Sequence, residues 1–237
     1  MNISIFLLCY NESVLLPHTI KFYKKYIPSA KITIYDNMSI DNSAEIAKSL
    51  GCEVIFYDTN GKTDDGKLQS IKNECWKTVE SGWVIVGDMD EYICVDEETL
   101  LHEMGKGTSI LKVDGKNMIG ESQTDDLTDI DLESIKRYNH NPMECKNICF
   151  LREKINSINY SVGAHQCSPE GDVVYSNDVY TLKHMEYLGL PYLIKKYQQR
   201  YARSHDMRRQ GMCTHYTDNE SVIQSRYHNA LNTSSCL

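Results

Sequence analysis

The sequence has no apolar run approaching the ~20 residues that a membrane-spanning helix needs. A helical membrane protein is thereby excluded, and no membrane span is expected. There is no CxxC pair among the nine cysteines, and Cys145 and Cys149 have no second pair beside them at zinc-finger spacing. The odd, scattered set, mostly inside apolar stretches, reads as reduced core thiols, and a cytoplasmic, reducing compartment is the expectation. Positive charge is short: 25 Lys and Arg stand against 33 Asp and Glu, a formal net charge of −8. That balance excludes a broad nucleic-acid footprint, and no nucleic-acid partner is expected. A phosphate-bearing ligand must then be gripped locally, by a metal ion or a few basic side chains. The opening MNISIFLL lacks the basic start and small-residue cleavage site of a signal peptide and is read as a first strand. No repeat or low-complexity linker interrupts the chain, so one domain over 1–237 is expected.

What is present is alternation. Ile3–Cys9 reads as a strand, apolar but for Ser4. Residues 15–26 set Leu15, Leu16, Ile20, Phe22, Tyr23 and Tyr26 at helical spacing and leave Lys21, Lys24 and Lys25 to solvent. KITIY, EVIFY and WVIV are strand-like, and helical stretches over 42–50 and 67–80 separate them. This pattern predicts an α/β fold with a doubly wound, mostly parallel central sheet and helices on both faces. Beyond residue 95 the pattern loosens. It predicts helices over 97–104, 190–203 and 218–231, short strands at 109–113, 148–151, 160–162 and 179–182, and a polar surface insertion over 115–140.

The early strands end alike. LLCY runs into Asn11-Glu12, TIY into Asp36-Asn37, IFY into Asp58 and IVG into Asp88-Met89-Asp90-Glu91. Turns favour Asp and Asn, but ligands of open parallel sheets sit at the carboxyl ends of the strands, and repeated polar endings point to a shared site there. Asp88 and Asp90 alternate around Met89, so an extended backbone aims both carboxylates to one side. Two such acids repel unless a cation stands between them, and a hard divalent ion with oxygen ligands is expected. Later in the chain, Lys196, Arg200 and Arg203 share one helix face. They form a stripe that is either solvated or phosphate-binding, with Lys146 and Lys195 as further basic candidates.

Three blocks carry a resemblance. Tyr10-Asn11-Glu12, Tyr35-Asp36-Asn37-Met38-Ser39-Ile40-Asp41 and Gly87-Asp88-Met89-Asp90-Glu91-Tyr92 stand in order at strand ends. They resemble the first-strand signature, the D-N-x-S-x-D turn and the DxD motif of glycosyltransferases with the GT-A fold, of the inverting family 2 type. Lys146, Gly163-Ala164-His165 and Lys183-His184 resemble a sub-branch with a short second half, and the Q-x-x-R-W helix of processive members is absent.

The resemblance implies a nucleotide-binding half over 1–95 and an acceptor and sugar-side half over 96–237. It implies metal-dependent transfer of a sugar from a nucleotide diphosphate-sugar, UDP-sugar favoured, to a hydroxyl of a glycan, protein or small molecule. Mn²⁺ or Mg²⁺ is the implied cofactor, with Asp88, Asp90 and His184 as its ligands. Asp88 and Asp90 form the implied catalytic centre. Asn11, Glu12, Asp36, Lys72, Asn73, Asp88 and Lys146 would bind the donor, with Asp36 facing the base. The base that deprotonates the acceptor is not placed: Glu91 and His165 are candidates, beside Glu170, Asp172 and Asp178. The alternative is a non-catalytic nucleotide-sugar-binding or scaffold protein with a decayed site; the unplaced base favours it and the intact acid pair opposes it. A haloacid-dehalogenase-type phosphatase needs its acid pair after the first strand, and a uridylyltransferase needs a Gly-rich first loop with a basic residue. The sequence offers neither.

Overall fold

A computed structural model describes residues 1–237. β1 (Ile3–Cys9) is buried at every position, as a strand covered on both faces must be. α1 (Leu16–Tyr26) carries Pro17 in its first turn, where no backbone N–H partner is lost, and turns Leu16, Ile20 and Tyr23 inward. β2 (Lys31–Asp36), α2 (Ser43–Ser49), β3 (Glu53–Phe56), α3 (Asp65–Glu74) and β4 (Trp83–Asp88) complete the alternation. The strands run parallel in the order β4-β1-β2-β3. α3 starts earlier than its apolar pattern predicts because Asp64 accepts the N–H of Lys67 as a cap. It ends sooner because the chain tightens into a 3-10 turn at Cys75–Thr78, where Trp76 packs edge-on against Phe150.

The second half adds β5 (Glu91–Ile93), α4 (Glu97–Gly105), β6 (Ile110–Ser122), β7 (Arg137–His140), β8 (Cys149–Leu151), β9 (Ile155–Ser157), β10 (Glu170–Gly171), β11 (Tyr175–Gly189), α5 (Leu190–Arg203), α6 (His205–Arg209), α7 (Glu220–Asn232) and β12 (Ser235–Cys236). β8 runs antiparallel to β4 and continues the sheet through β6 and β7 to β12. β11 lies parallel along β6 and antiparallel to β5. Only β9 and β10 stand apart, as a separate two-stranded sheet. The predicted α/β architecture is therefore present.

The second half departs from its sequence reading in three places. The polar stretch over 115–140 is not a surface insertion: β6 runs on to Ser122, β7 takes Arg137–His140, and only 123–136 is loop, with a 3-10 turn at Leu132–Ser134. β11 is a strand of 15 residues where the pattern shows only 179–182. Its buried Leu182, Met185 and Leu188 are separated by polar residues, which breaks the apolar run. Residues 160–162 form no strand but a single bridge, Tyr160 to Cys167, and a 3-10 turn at Val162–Ala164. All nine cysteines are free. No helix is long and apolar enough to cross a membrane.

Candidate functional site

The carboxyl ends of β1, β2 and β4 open onto a cavity of about 860 Å³, closed on the far side by β11, α5 and the turns at 141–146 and 162–165. The first two motif blocks are partner loops at its rim. Asn11 adopts φ 52°, its N–H donates to Ser39 Oγ at 2.9 Å, and its Oδ1 accepts the Ile40 N–H at 2.8 Å. The N–H groups of Glu12 and Ser13 donate to Ser43 Oγ and Asp41 Oδ2. Asp36 is fully buried: Oδ1 accepts the Ser39 N–H at 2.7 Å, and Oδ2 has no partner. Tyr10, Glu12 and Asn37 line the cavity, whereas Asn11 and Asp36 do not. Asn11 and Asp36 stand behind that lining, where their side chains close one loop on the other.

The turn between β4 and β5 carries the doubled acid. Register sets His184 opposite Glu91, and the Met185 N–H donates to the Asp90 carbonyl at 2.8 Å, which brings β11 against the turn. Each acid has its own cation. Asp88 Oδ2 accepts from Lys72 Nζ at 2.8 Å. Asp90 Oδ2 accepts from Arg200 Nη2 at 2.9 Å, with His184 Nε2 at 3.7 Å and Lys196 Nζ at 3.8 Å. Lys196 also pairs with Glu12. In this structure, then, basic side chains supply the positive charge that the acid pair demands.

Burial opposes the ionised Asp90, but Lys196, His184 and Arg200 outweigh it and hold the carboxyl well below the usual range. At His184 burial pulls the other way, and Asp90, with Glu144 and Glu186, outweighs it and raises the imidazolium to about 9. Burial lifts the Glu12 carboxyl above its usual value although Lys196 opposes this.

Glu91 is 1% exposed and has both oxygens engaged: Oε2 accepts the Asp88 N–H at 2.9 Å and Oε1 pairs with Lys146. Lys146 also meets Glu144 at 2.8 Å. Glu91 does not line the cavity, so its reading as a base is corrected: it braces the turn from beneath. Asn73 is likewise no donor contact. Its Oδ1 accepts the Tyr160 N–H at 2.8 Å and its Nδ2 donates to the Tyr160 carbonyl at 3.3 Å, so it anchors the 160–165 turn to α3. Glu170, Asp172 and Asp178 are outside the lining; the latter two pair with Lys154 and Lys106.

On that turn Gly163, at φ 76°, makes room for His165, whose ring a Cβ would meet at 2.8 Å. His165 lines the cavity, and its Nδ1 lies 2.8 Å from the Met143 carbonyl. A carbonyl only accepts, so Nδ1 carries the proton and Nε2 of the neutral ring is left with its lone pair.

Lys196, Arg200 and Arg203 do share a face of α5, and that face lines the cavity. Lys195 points away to Asp125 at 2.7 Å. Arg203 lies over the Tyr10 ring, 3.3 Å from its centroid. With Lys72, Lys146 and Arg226, these residues gather six cations at one place in an acidic chain, against as many lining carboxylates. Tyr57, Glu144, Glu186 and Arg226 are lining residues that no motif signalled. Only Glu186 had a cue, two positions after His184 on the same strand face.

Asp90 and His184 set a carboxylate and an imidazole nitrogen side by side, the donor types a divalent ion takes, and His184 must give up its proton to serve as a ligand. His184 Nδ1 donates to Asn117 Oδ1 at 2.9 Å, the outer-partner arrangement that orients a ligand imidazole, and leaves Nε2 beside Asp90. Asp88 does not join them: the one group of three ligating side chains that converges, within 4.8 Å, is Asp114, His140 and Cys145.

No family model matches the chain. Over 61 residues it is 36% identical to protein RfbJ of Shigella flexneri, a stretch covering 26% of this chain and 47% of that protein. TarS of S. aureus aligns with a TM-score of 0.50 at 12% identity, over 98% of this chain and 44% of TarS. TarS 1–349 in complex with UDP aligns at 0.46 and 12% identity, over 86% of this chain and 65% of that one. The chain spans about half the length of RfbJ and of TarS. Strand order, the site at the carboxyl edge and the TarS likeness agree on the fold: the chain has the GT-A fold.

Proposed function

We propose that the chain is a glycosyltransferase that moves a sugar from a nucleotide diphosphate-sugar, UDP-sugar favoured, to an acceptor hydroxyl. One observation carries the reading: the acids after β4 and the basic face of α5 meet across a single cavity of donor size. Breaking the anomeric carbon–oxygen bond leaves negative charge on the diphosphate. Lys72, Lys196 and Arg200 are fixed cations for that charge, already oriented by Asp88, Glu12 and Asp90. Asp90 and His184 would hold a divalent ion, Mn²⁺ or Mg²⁺, which would supply further positive charge for the same leaving group.

Tyr10, Asn37 and Tyr57 wall the end nearest β1 and β2 and are assigned to the nucleoside, with Arg203 holding the Tyr10 ring. His165 Nε2 is assigned as the base that takes the acceptor proton as the hydroxyl attacks. Displacement is single and inverting in this reading.

The test is UDP release from a panel of UDP-sugars with Mn²⁺. Wild type should release UDP slowly even without acceptor, and Asp90→Ala should not, at unchanged far-UV circular dichroism. Wild-type release by Asp90→Ala would remove the acid pair from the chemistry.

A further inference from the structure

A second cluster lies outside the cavity. Asp114 on β6, His140 at the end of β7 and Cys145 each offer one ligand atom, and the three atoms lie within 4.8 Å of one another. None of the three lines the cavity. The backbone is shaped to bring them together. β6 and β7 pair with Lys116 opposite His140, which sets His140 diagonal to Asp114, and His140 Nε2 lies 2.9 Å from Asp114 Oδ1. The turn after β7 then passes so close to β6 that a Cβ on Gly115 would sit 2.4 Å from the Glu144 carbonyl carbon. That contact delivers Cys145, whose Sγ accepts the Gly115 N–H at 3.4 Å.

We propose that Asp114, His140 and Cys145 bind a thiophilic divalent transition metal of the zinc class, with water at the fourth position. One oxygen, one nitrogen and one sulfur ligand suit such an ion and suit Mg²⁺ poorly. Binding displaces the thiol proton to solvent. Lys116 Nζ, 3.4 Å from Asp114 Oδ2, is the competing cation, and it has other partners in Thr181 Oγ1 at 3.3 Å and the Tyr138 ring at 4.9 Å. The site is distinct from the Asp90–His184 seat, which contains no sulfur, and it does not depend on the transferase reading. Because Asn141, Met143 and Glu144 line the cavity between two of the ligands, the metal would also pin that wall.

The probe is Co²⁺ added to reduced, metal-free full-length protein. Wild type should develop near-ultraviolet thiolate-to-cobalt charge transfer that saturates at one equivalent and is quenched by Zn²⁺. Cys145→Ser should lose the band and Cys236→Ser, at an exposed cysteine, should keep it. His140→Ala, at an exposed position, should weaken Zn²⁺ binding about 10-fold or more. Absence of the band in wild type, or its survival in Cys145→Ser, overturns the proposal.

Discussion

The two halves of the molecule contribute opposite charges to one site. The first brings acids at strand ends, Glu12, Asp88 and Asp90; the second brings Lys146, Lys196, Arg200 and Arg203 from a loop and a single helix. Most close pairs cross between halves: Glu12 with Lys196, Asp90 with Arg200, Glu91 with Lys146. Lys72 with Asp88, inside the first half, and Lys146 with Glu144, inside the second, are the exceptions. Neither half alone balances its own charges, so the cavity holds its shape only when both are folded against each other. A net charge of −8 therefore does not describe the surface a phosphate would meet.

The largest effect expected from breaking this arrangement is on stability. Glu91→Gln removes one member of a buried pair and leaves Lys146 short of charge, which should cost about 3–5 kcal/mol in denaturant unfolding; a cost under about 1 kcal/mol would show that Glu91 is not the brace described. Asp90→Ala should lower turnover of UDP-sugar by about 10²–10³-fold. On the basic side, Arg200→Met should weaken UDP binding about 10-fold, the scale of one charged hydrogen bond. Lys195→Met, on the other face of α5, should leave it unchanged. Equal losses in both variants would show that bulk charge, not the lining face, holds the ligand.

The smallest effect is a pH dependence. Folding raises the His184 pKa from 6.5 to about 9, so its contribution is complete below about 6.5 and fades as pH rises through about 9. In chelator the wild-type melting temperature should fall across that window, and His184→Asn should flatten the fall. An unchanged slope would show that His184 is not held charged by Asp90.

How much of this was legible in the sequence differs between the halves for a physical reason. In the first half β1 and β4 are buried on both faces, and amphipathic helices separate the strands, so apolar period locates them. β6 and β11 alternate polar and apolar residues, and β11 sends His184 and Glu186 into the cavity, so neither shows a sustained apolar run. The same contrast holds at the site. Asp88, Asp90, Glu12 and Lys72 line the cavity because strand ends and one helix face aim them there. Asn11, Asp36, Asn73 and Glu91 sit beside those residues in sequence but serve the loops and the turn. A motif marks a neighbourhood, and only the fold separates residues that face the ligand from those that hold the ones that do.

The most direct measurement is a calorimetric titration of UDP and of uridine, each with Mn²⁺ and with EDTA. The account predicts one UDP site, tightened by Mn²⁺, with uridine at least about 10-fold weaker, since its diphosphate grip is missing. Absence of UDP binding in both buffers, or uridine binding as tightly as UDP, would contradict it.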